Sequence, residues 1–170
     1  MTDWVDGVIG QWGRERPDLE GALDPIEVLV RVQRLHRLLE RELKSFFAEH
    51  DLEPGEFDVL ASLRRSGPPY ALTAGAFLKV SMVTSGAITN RIDRMEAKGL
   101  VERVRDVGDR RTVRIRLTDR GLRLTDRVLP AHLDNYARLL APLEPAERDR
   151  VAAALRTLLE AHGDTAPPLG

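Results

Sequence analysis

The chain is 170 residues long, with 42% hydrophobic and 31% charged residues, 26 Lys+Arg against 27 Asp+Glu, four His and no Cys. That length and balance suit one compact domain with a real core and exclude a disordered polyelectrolyte. The missing Cys excludes disulfides, thiolate-held zinc, iron–sulfur clusters and thiol redox sensing.

A formal net charge of -1 would argue against a strongly charged partner if the charge were evenly spread, but it is not. From Arg64 to Arg127 there are 15 Lys+Arg and 7 Asp+Glu, whereas the rest holds 11 and 20. The chain is a basic body between acidic flanks. Such a body can serve a polyanion or form a solvated face, and local structure has to decide. The first ten residues, MTDWVDGVIG, carry no Lys or Arg, the wrong beginning for a secretory signal, and no apolar run approaches the roughly 18 residues of a spanning helix. The expected location is the cytoplasm, with no membrane partner.

In chain order, the first predicted element is a short helix over Asp6 to Arg16, with Val5, Val8, Ile9 and Trp12 on one face and Pro17 at its end. Asp24-Pro25-Ile26-Glu27 reads as a helix start in which Asp24 caps and Glu27 reaches back. Val28, Val32, Leu35, Leu39, Leu43 and Phe46 then keep helical spacing to about His50. Glu53-Pro54-Gly55 opens another helix through Phe57, Val59, Leu60 and Leu63, closed by Ser66-Gly67-Pro68-Pro69. Thr73 is placed to cap a short helix over Ala74 to Lys79, and Ser81 a longer one to Lys98, stopped by Gly99. Three helices joined by short turns make a helix-turn-helix unit.

Leu100 to Arg105 and Thr112 to Leu117 alternate apolar with charged residues, and the Gly- and Asp-bearing connection makes them a half-exposed hairpin with a cationic tip. Thr118 caps a helix through Leu122, Leu124, Val128, Leu133, Tyr136 and Leu140, with a kink expected at Pro130. Leu143-Glu144-Pro145 starts the last helix, whose apolar face is Val151, Leu155, Leu158 and Leu159, and the tail from Gly163 is expected to be disordered.

The fold class is therefore mainly α with a small β-hairpin wing, a winged helix-turn-helix with a helical dimerisation region. Its organisation is an extra N-terminal helix and linker (1–23), a dimerisation helix (24–52), the winged helix-turn-helix (53–117), C-terminal dimerisation helices (118–162) and the tail (163–170). Three long apolar stripes are more than one chain can cover, so a twofold partner copy is expected.

On a helical wheel, Ile88, Ile92 and Met95 cluster on one side of the Ser81 to Lys98 helix, while Thr89, Asn90 and Asp93 face away. Thr89 and Asn90 can meet base edges or phosphates, Ser85 can hydrogen-bond a phosphate, and Arg94 flanks the face; the alternative is an ordinary solvated helix. Arg110 and Arg111 at the hairpin tip suit the negative potential of a minor groove, with Asp109 beside them to orient a guanidinium or cap the turn. Arg91 turns partly towards the core, where a cation needs an anionic partner. Asp58 is the nearest candidate, with Arg103 adding a second cation; a structural salt bridge is the alternative.

The run TSGAITNRIDRMEAKGLV from Thr84 to Val101, followed by Asp109-Arg110-Arg111 and Leu117-Thr118-Asp119-Arg120-Gly121, resembles the recognition helix, wing tip and post-wing cap of the MarR family. That resemblance implies a homodimeric transcriptional regulator, mostly a repressor, that binds a palindromic operator in double-stranded DNA and is released by a small ligand. The segment Val5 to Trp12 with Arg16-Pro17-Asp18-Leu19 is similar to the extra helix of the urate-responsive, PecS-like subgroup, which includes aconitate and citrate sensors. By that resemblance Trp12, Asp58, Arg91 and Arg103 match the effector pocket. Two guanidiniums and an indole suit urate, an aconitate- or citrate-like acid or an aromatic carboxylate.

Gly75 and the absence of a Leu-Ala pair in the short helix depart from the family pattern. No cofactor is expected. His36, His50, His132 and His162 are too scattered for a metal, and no phosphate loop or nucleophile elbow suggests an enzyme. His132, beside Pro130, is the one histidine placed for a pH response. The rival reading is a helical protein-interaction or scaffold module whose basic middle meets an acidic protein.

Overall fold

The computed structural model describes residues 2–73, 75–77, 85–105 and 112–165. Two compact units divide at Asp51 and Leu52.

The first unit holds α1 (Trp4–Glu15), a 3-10 segment (Pro17–Ala22) and α2 (Asp24–Ala48). Asp3 caps α1 by accepting from the backbone N–H groups of Val5 at 2.8 Å and Asp6 at 3.0 Å, and Asp6 accepts from the Asp3 N–H at 2.7 Å. This reciprocal box compensates for the weak helix formers Gly7, Gly10 and Gly13. The same two carboxylates tie α1 to α2, because Arg31 reaches Asp3 at 2.8 Å and Asp6 at 2.5 Å. The Arg34 guanidinium also lies 4.2 Å from the Trp4 ring centroid, a cation–π contact.

The start of α2 corrects the sequence reading. Leu23 holds the cap position without a side-chain cap, and Asp24 and Glu27 both lie inside the first turn. There they complement the positive end of the helix dipole and close no box.

The second unit opens with α3 (Pro54–Arg65), whose Glu53 and Glu56 form a capping box. β1 (Ala71–Thr73) follows, then a helical turn at 75–77 in which Thr73 Oγ1 accepts from the Ala76 N–H at 3.1 Å. Then come α4 (Ser85–Ala97), β2 (Val101–Arg105), β3 (Val113–Leu117), α5 (Asp119–Leu139) and α6 (Pro145–Ala161). The expected Ser81 cap, most of the 74–79 helix, the wing tip with Asp109, Arg110 and Arg111, and the end of the tail lie outside the described residues.

The hairpin is part of a three-stranded antiparallel sheet in the order β1-β3-β2, with Leu72 opposite Ile115 and Arg103 opposite Ile115 on the other side. β1 was not expected from the sequence. Thr118 caps α5 as expected, accepting from the Gly121 N–H at 3.0 Å, and its hydroxyl donates to the Gly99 carbonyl at 2.7 Å. That bond joins the end of α4 to the start of α5. Gly121 is required there because a Cβ would run into the Leu100 carbonyl.

The helix α5 continues through Pro130. The core of this unit is Phe57, Val59, Leu60 and Leu63 of α3 with Phe77, Ile92, Met95, Val101 and Val128, all buried. Truncating any of the larger ones costs about 2–5 kcal/mol, so this core fixes where α4 stands.

Candidate nucleic-acid interface and anion site

The inner face of α4 is Ile88, Ile92 and Met95, all buried, and Thr89, Asn90 and Asp93 are exposed. The apolar spacing thus turns the short polar residues outward. Ser85 lies at the amino end of the described part of α4. Arg94 is engaged by Glu53, Nη2 to Oε2 at 3.2 Å, in an exposed pair.

Arg91 leaves α4 towards the amino end of α3. A Cβ added to Gly55 would stand 2.5 Å from its Nη2 and 2.8 Å from its Nε, so the guanidinium fills the space that the glycine leaves. Its Nε and Nη1 are buried and meet no hydrogen-bond partner among the described residues. A cation over the first turn of a helix also faces the positive end of that helix dipole. This combination is unfavourable unless an anion joins it, since buried donors without acceptors lose their hydration uncompensated.

Asp58, one turn further along α3, is half-buried and engaged in an interaction of its own. Arg103 is committed elsewhere: its Nη2 lies 2.5 Å from Asp93 Oδ1, its Nη1 bonds Glu96 Oε2, and its backbone N–H donates to Glu96 Oε1 at 3.1 Å. The hydrogen bond that Arg103 donates to Asp93, with the charge of Glu96 added to it, holds the guanidinium above its ordinary pKa. The expected second cation beside Arg91 is therefore a strand-to-helix clamp. Trp12 belongs to the other unit and is 46% exposed.

Sequence reasoning missed one pair. Glu56 is 1% exposed, yet it accepts from the Glu53 N–H at 3.0 Å and from Lys98 Nζ at 3.0 Å. The three-residue Glu53–Glu56 spacing at a helix start was the available signal. Among the described residues no His/Cys/Asp/Glu group has the arrangement of a metal site, and no helix is long and apolar enough to cross a membrane.

A helix with a cleared polar face, backed by a core and flanked by a three-stranded wing, defines a winged helix-turn-helix DNA-binding protein. A family model described as MarR family matches residues 50–112. The transcriptional regulator PecS of Dickeya dadantii is 37% identical over 151 residues, covering 89% of this chain and 90% of PecS.

Among solved structures, Bordetella bronchiseptica BpsR, whose DNA binding is regulated by 6-hydroxynicotinic acid, superposes with a TM-score of 0.69 at 24% identity over 77% of this chain and 91% of that one. An Escherichia coli MarR mutant complexed with operator DNA gives 0.69 at 24% identity over 87% and 97%. Both share the fold. The chain belongs to the MarR family of winged-helix transcriptional regulators, which bind DNA and are not enzymes.

Proposed function

We propose that the chain is a cytoplasmic, homodimeric repressor that reads a palindromic operator and is released by a small anion. Arg91 carries the effector half of this reading, because two buried guanidinium nitrogens above Gly55, without acceptors among the described residues, favour a carboxylate or a urate-like anion at that place. Asp58 is a further residue of that site, and Arg103 takes part by exchanging its carboxylate partners for the ligand. Urate, aconitate- or citrate-like acids and aromatic carboxylates form the candidate class. The 6-hydroxynicotinic acid that regulates BpsR falls within it.

Thr89, Asn90 and Ser85 are the residues for the major groove, Arg94 for its flank, and Arg110 and Arg111 for the minor groove. Two exposed apolar faces support the dimer: Val28, Val32 and Leu35 of α2, and Val151, Leu155, Leu158 and Leu159 of α6, which has no buried residue. A twofold copy that covers them would set two recognition helices about one DNA turn, 34–36 Å, apart. Ligand and operator then oppose each other reciprocally.

A thermal-shift screen of small anions against wild type and Arg91→Ala tests the effector half. The expected result is a stabilising anion whose effect disappears in the variant. An unchanged response in Arg91→Ala would remove Arg91 from the site. No measurable affinity for duplex from the chain's own upstream region would favour the protein-interaction reading.

A further inference from the structure

Asp93 and Glu96 put two carboxylates on the helix assigned to the DNA, and Asp93 is exposed on the same outward side as Thr89 and Asn90. A carboxylate facing a phosphate backbone is repelled, and the repulsion is felt with any duplex because the phosphates carry no sequence information. One residue meets both. Arg103, at the third position of β2, bonds Asp93 through Nη2 at 2.5 Å and Glu96 through Nη1, and its own backbone N–H donates to Glu96 at 3.1 Å.

Exposed pairs of this kind contribute little to fold stability. Their place on a surface that approaches a polyanion gives this one another use. We propose that Arg103 is a positioning residue for DNA binding, a strand-borne electrostatic mask that cancels Asp93 and Glu96 so that α4 can approach the phosphates. This rests on the assignment of α4 to the major groove. It differs from a role in touching DNA, because towards the duplex the guanidinium acts through the two carboxylates.

Without Arg103 the outer and wing-side surface of α4 carries two uncompensated negative charges, and the penalty exists only while those charges exist. The two carboxylates therefore decide how much Arg103 matters, and a double-mutant cycle reads that dependence directly.

The test is anisotropy titration of a fluorescent mixed-sequence duplex, at two salt concentrations, with wild type, Arg103→Ala, Arg103→Lys, Asp93→Asn/Glu96→Gln and the triple variant. Arg103→Ala is expected to weaken binding by about tenfold or more at low salt, and Arg103→Lys to restore most of it. Asp93→Asn/Glu96→Gln should bind at least as tightly as wild type. Removing Arg103 in that background should cost less than about threefold.

Equal losses in both backgrounds would overturn the mask and make Arg103 a phosphate contact or a structural residue. A thermal midpoint for each variant separates unfolding from lost binding. If Arg103→Ala fails to fold, the carboxylate double variant decides alone, since weaker binding by it would also overturn the proposal. Failure of the wild type to bind the duplex would instead remove the α4 assignment on which the mask depends.

Discussion

The Arg91 guanidinium occupies the volume that any side chain at position 55 would need. Gly55 is thus the floor of the proposed anion site as well as part of a helix start. A Gly55→Ala variant should fold, because the obstructed atoms are the far end of a flexible side chain, but the guanidinium must leave its place. The expected outcome is a stabilisation by anions at least about tenfold weaker in apparent affinity, about 1.4 kcal/mol, measured by thermal shift against anion concentration.

Lys98→Met should destabilise the protein by about 2–3 kcal/mol, since it leaves the Glu56 carboxylate buried without its countercharge. The loss is set below that of a fully buried pair because the Lys98 side chain is 31% exposed. Urea unfolding checks it. Adding Glu56→Gln to Lys98→Met should recover part of the loss, because the neutral amide costs less to bury.

His132 is buried against Phe57, with ring centroids 5.1 Å apart, and against Tyr136 at 4.1 Å. Burial pushes its pKa below the ordinary value near 6.5. A base with a depressed folded pKa binds fewer protons folded than unfolded just below that ordinary value, so stability rises with pH there. The contribution is complete above about pH 6.5 and is lost as pH falls through 6.5 towards the lower folded pKa. Urea midpoints from pH 7.5 down to 5 should fall in wild type and fall less in His132→Phe.

Leu155→Asp/Leu158→Asp should give a folded monomer with weakened operator binding, because α6 packs no buried side chain of its own. Sedimentation velocity and far-ultraviolet circular dichroism check mass and helicity together. A dimer of unchanged mass would move the interface off α6.

The long helices and the wing strands were legible in the sequence because one-sided burial writes its period into the apolar positions. Ile88, Ile92 and Met95 identified the inner face of α4, and Thr118 identified the start of α5. β1 was not legible, because three residues, Ala71 to Thr73, are too short to show alternation and become a strand only by pairing with β3. Asp24 missed the cap by one residue, a boundary that pattern alone does not fix.

Of the candidate site, the partial turn of Arg91 towards the core was legible from the helical wheel, but its seat over Gly55 was not. Composition shows a glycine at a helix start, not which side chain lies across it. The partners of Arg103 were hidden for a related reason: alternation along β2 says that Arg103 and Val101 share a face, but only the packed sheet turns that face to Asp93 and Glu96.

The central claim is that an anion at Arg91 and an operator duplex exclude each other. It is tested most directly by titrating duplex from the chain's own upstream region with wild type and Arg91→Ala, each with and without a saturating concentration of the most stabilising anion. The predicted result is tight, salt-dependent binding by wild type that the anion weakens by about tenfold or more, with no weakening in Arg91→Ala. Operator affinity in wild type that saturating anion leaves unchanged would contradict the account.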